Sequence, residues 1–355
     1  MDEKRYAYWL ACVPGVGSRT IAQLLKYCGS ARQVYGMPRD SLLKIYGIGE
    51  RTAERICESK KGWDLDGAWE RLRERGISFV CAQEEAYPGR LRTIYDPPYA
   101  LYYIGALPQE TEKTVGIVGA RACSAYGKRV ALATGKCLAA NRVAVVSGMA
   151  RGIDGYAHKG ALDGGGRTYA VLGSGIDVVY PPEHTALYRS IAACGGVISE
   201  YPPGMQPLPG FFPARNRIIA AFSDTVLVVE AREKSGSLIT ADLALEQGKD
   251  IYAVPGRVID PLCAGCNRLI HQGAGIFLSP QEMARELGLF SEKNKLPLEK
   301  SEHLVYSCLG LHPKSIEELG RETETDFVTL TQLLRGMQEK GLVEEVWRNH
   351  YISVS

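Results

Sequence analysis

The chain has 355 residues, 45% of them apolar, and its 42 Lys and Arg against 40 Asp and Glu leave a net charge of +2. That is enough chain for two or three folded domains and excludes a disordered protein. It also means that affinity for an acidic partner must come from local patches and not from a global field. No apolar run reaches the roughly 18 residues of a membrane span, and the start MDEKRY lacks the apolar core of a secretory signal, so a cytoplasmic location is expected.

Residues 1–61 read as short helices interrupted by Val13–Gly17 (VPGVG) and Ile45–Gly49 (IYGIG), each followed by a basic residue, Arg19 and Arg51. Two such units resemble a tandem helix-hairpin-helix domain, in which backbone N–H groups of a Gly turn approach a phosphate without reading a base. Glycines that merely let two helices pack are the equal alternative. From Gly62 come a helix over 68–75 and a strand over 77–80. A Pro-rich passage follows, Tyr87–Tyr102, where Pro97 and Pro98 rule out helix.

After Thr114 strand and helix alternate. Strands are expected at 115–118, 143–146, 168–172, 197–199, 225–229, 251–254 and 276–278, separated by helical patterns such as 126–138 and 237–246. Strands this apolar with helix-length crossovers predict an α/β fold, an extended Rossmann-like parallel sheet covered on both faces, over residues 62–290. A polar linker is expected over 291–300. A winged helix is expected over 301–355, with helices near 302–309, 315–321 and 328–340 and a wing of two strands, 342–346 and 351–354. Its recognition helix holds Arg335 and Lys340 against Glu339, too few cations to favour DNA over a protein partner.

Ligands of such sheets bind beyond the carboxyl ends of the strands. Those loops hold Gly119–Arg121, Ser147–Asp154, Gly173–Pro182, Glu230–Thr240 and Pro255–Arg257, with Arg215, Asn216 and Arg217 on an apolar helix beside them. Between Lys113 and Lys159 stand eight Lys or Arg and one acid, Asp154. Arg121 occupies the second Gly position of a G-x-G-x-x-G fingerprint, so a dinucleotide site fails and a phosphodiester is the better match. Ser235, Ser237 and Thr240 serve equally as helix caps; Asp154 and Asp177 serve as braces for N–H groups or an Arg. Tyr180 and Phe212 offer rings either for base stacking or for the core. Ten scattered cysteines suit a reduced protein. Cys263 and Cys266, with His271, fall short of a zinc site and fit a turn entering a helix, so no metal or cofactor is expected. No Walker loop, HExxH, GxSxG elbow or Mg²⁺-binding carboxylate cluster is present, which weighs against an enzyme.

Val115–Arg121 (VGIVGAR), Ser147–Asp154 (SGMARGID), Val171–Asp177 (VLGSGID) with Tyr180-Pro181, Phe212–Ala220 (FPARNRIIA), Ser235–Thr240 (SGSLIT), and Val254–Gly256 leading to Gly265–Ile270 and Gln272–Ala274 stand in order. Together with Tyr87–Pro98 they resemble the DNA-processing protein A family (DprA, also called Smf) over residues 62–287. The resemblance implies a basic pocket for single-stranded DNA, protection of incoming strands during natural transformation, loading of the RecA recombinase, and a homodimer. It places Gly119, Arg121, Ser147, Gly148, Gly173, Ser174, Gly175, Arg215, Asn216, Arg217, Ser235, Gly236 and Ser237 around the pocket. Many relatives carry a lysine after the Tyr-Pro pair where this chain has Pro182 and Glu183, and Arg151 and Arg167 are the candidates to replace its charge. The core also resembles nucleotide phosphoribohydrolases of the lysine-decarboxylase-like group, but the helix after Ser235 offers no glutamate in its first turns. A transcription regulator acting through the winged helix is the third reading.

Overall fold

A computed structural model describes residues 3–288, 299–310 and 312–353. The chain forms two units, residues 1–278 and 279–355. In the first, six helices lead: α1 (Glu3–Ala11), α2 (Ser18–Cys28), α3 (Ala31–Gly36), α4 (Arg39–Leu42), α5 (Glu50–Lys60) and α6 (Leu65–Glu74). Val16 and Ile48, the apolar residues inside the two Gly turns, are both buried, so each turn is pinned into the helical layer. That layer shares a core with the sheet beyond it: the ring of Tyr8 meets Phe79 at 5.6 Å and Tyr102 at 6.1 Å, edge to face.

The rest of the unit alternates strand and helix: β1 (Ser78–Cys81), α7 (Gly89–Arg92), β2 (Ala100–Gly105), β3 (Thr114–Val118), α8 (Ala125–Ala140), β4 (Ala144–Ser147), α9 (Ile153–Asp163), β5 (Thr168–Leu172), α10 (Thr185–Cys194), β6 (Gly196–Ser199), α11 (Phe211–Phe222), β7 (Thr225–Val228), α12 (Gly236–Glu246), β8 (Asp250–Ala253), α13 (Ala264–His271) and β9 (Gly275–Ile276). They form a nine-stranded sheet of order β1-β2-β6-β5-β4-β3-β7-β8-β9. The run from β6 to β9 is parallel, and β2 joins β6 antiparallel, as does β1 to β2. Alternation at period two splits the strands between two cores: Tyr169 and Val171 pack with α11 and α12, while Ala170 and Leu172 pack towards the N-terminal helices. The α/β class is as expected.

Two elements depart from expectation. The Tyr87–Tyr102 passage, where no helix is expected, holds one turn of helix, α7, and runs into β2, a six-residue strand that the sequence pattern does not announce. Pro97 and Pro98 stop short of β2, so their missing donors are not needed by its ladder.

In the second unit stand α14 (Pro280–Glu286), α15 (Lys300–Cys308), β10 (Lys314–Ser315), α16 (Ile316–Thr323), α17 (Phe327–Glu339), β11 (Val343–Trp347) and β12 (His350–Ser353). The expected linker 291–300 lies, up to residue 298, outside the described residues. β10 pairs with β12 and makes the small antiparallel sheet three-stranded, not two-stranded. Two residues are too few to show a period in sequence. Ser315 and Glu318 form a reciprocal capping box that starts α16, and Asp326 caps α17 through the N–H groups of Val328 and Thr329.

Candidate nucleic-acid interface

Strand order runs from β3 through β4, β5 and β6 to one side and through β7, β8 and β9 to the other. Loops leaving β3 and β7 at their carboxyl ends therefore diverge, and a crevice opens between them. Here lies a cavity of about 550 Å³, lined by Gly119, Ala120 and Arg121 after β3, by Ala150 and Asp154 after β4, by Phe212, Arg215 and Asn216 of α11, and by Arg232, Lys234, Ser235, Gly236 and Ser237 after β7. A narrow cleft bounded by Gly148, Arg151, Gly173 and Tyr180 shares Arg121, Phe212 and Arg215 with it.

Arg121 is exposed, its guanidinium 5.3 Å from the centre of the Phe212 ring, and Tyr180 lies 5.5 Å from the same ring. The cation thus lies against a ring at the mouth of the cavity. Gly152 holds this loop in place. Its φ is +74°, and a Cβ there would come within 2.2 Å of the Ala120 carbonyl oxygen and 2.5 Å of that of Arg121, so the β4 loop packs directly on the backbone that presents Arg121.

The start of α8, where a dinucleotide fold would hold pyrophosphate, is filled by protein. Glu230, 2% exposed, accepts the Ser124 N–H at 2.8 Å and its hydroxyl at 2.5 Å. A carboxylate in that place satisfies the helix end, which leaves an incoming phosphate to the side chains of the mouth.

Of the expected arginines, Arg215 lines the cavity but serves chiefly to hold it together. It is 4% exposed, donates to the carbonyls of Gly148 at 2.8 Å and of Val171, and meets Asn216 Oδ1 at 3.2 Å. The Gly148 N–H in turn donates to Asp154 Oδ2 at 3.1 Å. A Cβ on Gly148 would lie 2.4 Å from the guanidinium, which explains the glycine. Burial lowers the Arg215 pKa to about 10, with Asp154 opposing; burial pushes the Asp154 carboxyl up, opposed by Arg215 and two backbone N–H groups. Asp154 is therefore a brace within the wall.

Other expected positions lie elsewhere. Arg217 points away, its Nη2 2.7 and 2.8 Å from the Glu200 oxygens and its Nε 2.6 Å from the Asp96 carbonyl. One helical position beyond Asn216, it necessarily leaves on another side. Ser147 is fully buried against the Ile117 carbonyl at 2.6 Å. Ser174 donates to Val178 O at 2.8 Å, and Gly175 donates to Met205 O at 2.7 Å, so this turn is tied into the core. Arg151 borders the cleft but is clamped by Glu183. Arg167 immediately precedes β5, at the amino end of that strand and so opposite the carboxyl ends that border the cavity, 3.7 Å from Glu112. Both candidate charges are thus paired with a carboxylate, Arg151 with Glu183 and Arg167 with Glu112. Asp177 accepts the Gly204 N–H at 2.7 Å and pairs with Arg75. Ser235 caps α12, its hydroxyl 2.7 Å from that of Ser237. Arg232 and Lys234 were missed, although they stand in the same loop as Ser235; nothing in their spacing distinguishes a cation that faces a cavity from one in solvent.

Ser18, which starts α2 at the first Gly turn, donates to Glu200 at 2.9 Å and receives the Tyr99 N–H at 2.9 Å, while Arg19 pairs with Asp96 at 3.0 Å. That turn packs on the sheet. Tyr46 in the second turn is 94% exposed. Cys263 and Cys266 sit at the N-cap and first turn of α13, both buried. Among the described residues no helix is long and apolar enough to cross a membrane.

The family model described as DNA recombination-mediator protein A matches residues 78–288. The chain is 45% identical over 266 residues to the DNA processing protein DprA of Streptococcus pneumoniae, covering 71% of this chain and 94% of that one. The X-ray structure of DNA processing protein A from Streptococcus pneumoniae superposes with a TM-score of 0.70 at 36% identity, covering 79% of this chain and 97% of that one. DNA processing protein A from Helicobacter pylori, whose structure is described for its single-stranded DNA binding mode, gives a TM-score of 0.55 at 31% identity, covering 59% of this chain and 95% of that one.

Proposed function

Because the chain belongs to the DNA recombination-mediator protein A family, we propose that its switch-point cavity holds single-stranded DNA without cleaving it, and that the protein presents the strand to the RecA recombinase. The observation that carries this reading is the mouth itself. Arg121, Arg232 and Lys234 are exposed cations lining it together with Phe212 and Tyr180, Arg121 lies against the Phe212 ring, and the carboxylate in the wall, Asp154, is buried and braced. Cations beside aromatic faces suit a polynucleotide of any sequence: phosphates take the charge, bases take the rings. A binding role is favoured over glycosidic hydrolysis because α12 begins Gly236-Ser237-Leu238-Ile239-Thr240, with no acid, and Asp154 is spent on N–H groups of its own loop. Protection of incoming strands in natural transformation, action as a homodimer and a cytoplasmic location complete the proposal.

The test is fluorescence anisotropy with oligothymidine at two salt concentrations. Arg121→Ala is expected to weaken binding equally for different sequences and to reduce the salt slope by about 0.7, the loss of one single-strand phosphate contact. Unchanged affinity overturns the reading. For the mediator role, substoichiometric protein is expected to speed RecA filament assembly on the bound strand; no acceleration removes that part alone.

A further inference from the structure

A cavity of about 550 Å³ is the size of a small-molecule site and cannot enclose an extended strand. If the proposed function holds, and this inference rests on it, the polynucleotide must leave the mouth across the surface, and side chains beside the mouth decide where. On the side of the cleft, Glu183 is exposed and already neutralises Arg151. The opposite direction is different. The lining segment 118–122 runs straight into α8, whose 16 residues, AYGKRVALATGKCLAA, contain no acid.

The exposed residues of α8 are Ala125, Tyr126, Lys128, Arg129, Lys136 and Ala140, with Ala133 half-buried between Arg129 and Lys136. Arg129 and Lys136 are seven residues apart, two turns, so they lie on one line about 10 Å apart. The Ala133 methyl fills the space between them, and the Tyr126 ring stands on the mouth side of Arg129. Exposed helices ordinarily interleave both charge signs and pair them at i,i+4; among the described residues no carboxylate forms an ion pair with Lys128, Arg129 or Lys136. Lys128 lies 5.0 Å over the ring of Tyr156 on α9, and α9 adds Lys159, exposed, one turn on. The two helices touch backbone to backbone: a Cβ on Gly135 would be 2.5 Å from the Ala157 carbonyl, and one on Gly160 2.3 Å from that of Leu132. They thus form one continuous surface, low-relief and acid-poor, about 24 Å long from the mouth, the length of α8. Asp163 stands at its far end.

We propose that the α8–α9 face is a second segment of the DNA track, on which the single strand continues outward from the Arg121 mouth, held by its phosphates on Arg129 and Lys136. Cationic spacing with no side chain rising between the charges fits a flexible backbone, which bends to meet each one.

The test compares the full-length protein with Arg129→Gln/Lys136→Gln, which keeps good helix formers on the ridge. Two oligothymidines are titrated, one of about six nucleotides, within reach of the cavity, and one of about thirty. The long strand is expected to lose about tenfold in affinity at about 50 mM salt and about 1.4 from its salt slope, two contacts, while the short strand binds as before. Equal affinities for the long strand in both proteins overturn the proposal, as does an equal loss on both lengths, which would place the two side chains at the cavity. Failure of the unaltered protein to bind either strand instead refutes the proposed function. A loss confined to duplex DNA overturns the single-strand assignment. Circular dichroism of the variant checks that α8 is intact, and Lys128→Gln, at a separate position, must shift the same long-strand affinity in the same direction.

Discussion

In the proposed function Arg121 holds DNA while Arg217 holds the fold, and Arg217→Ala puts that separation to the test. The Arg217 and Glu200 side chains are 11% and 16% exposed, and the carboxylate receives both its charged hydrogen bonds from one Nη. Removing the guanidinium leaves Glu200 with the Ser18 hydroxyl as its remaining side-chain donor among the described residues, and strips the Asp96 carbonyl of its Nε donor. Breaking a buried pair costs about 3–5 kcal/mol. Arg217 borders a second cavity of about 550 Å³ through which water can reach the stranded carboxylate, so the lower end, about 3 kcal/mol, is expected. For a unit of this size that lowers the melting midpoint by roughly 6–10 °C. Urea and thermal unfolding measure the loss, and adding Glu200→Gln should recover part of it by removing the uncompensated charge. Single-strand affinity of the folded protein should be unchanged. An unaltered unfolding midpoint together with weakened DNA binding would show that Arg217 is a ligand and refute the assignment.

Two further outcomes follow from the geometry. Glu183→Gln frees Arg151 beside the cleft, so oligothymidine affinity should rise a few-fold at about 100 mM salt and the slope should steepen by about 0.7; weaker binding would mean that the pair orders the cleft. His158 is fully buried, its Nδ1 2.6 Å from a Thr168 hydroxyl whose own proton goes to Val145, and its Nε2 has no hydrogen-bond partner among the described residues. Burial, then the charges of His184 and Arg215, depress its pKa to about 3. The unfolded chain takes the proton first, so stability is intact above about pH 6.5 and is lost as pH falls towards 3. Between pH 7.5 and 5 the native protein should lose about 2 kcal/mol that His158→Gln does not. Identical pH profiles in denaturant titrations would disprove it.

Local pattern determined the class of this protein. Apolar strands of four to five residues spaced by helix-length crossovers leave a parallel sheet as the structure that satisfies their backbone groups, and the rule that ligands sit beyond strand carboxyl ends pointed to loops that line the switch-point cavity. Gly119, Arg121 and Ser235–Ser237 were legible because each stands at a strand-to-helix turn. Short or context-dependent elements were not: β2 follows two prolines, and β10 has two residues. The fate of the arginines was also hidden. Arg121, Arg151, Arg167, Arg215 and Arg217 are alike in sequence, yet one stands open at a cavity, one is neutralised by Glu183, one lies at the amino end of its strand, one is buried among carbonyls and one is sealed against Glu200. A guanidinium takes whichever acceptors the fold brings within about 3 Å. Glu200 is 17 residues from Arg217 in the chain, Glu183 is 32 from Arg151, and Gly148 is 67 from Arg215, distances that only tertiary structure closes.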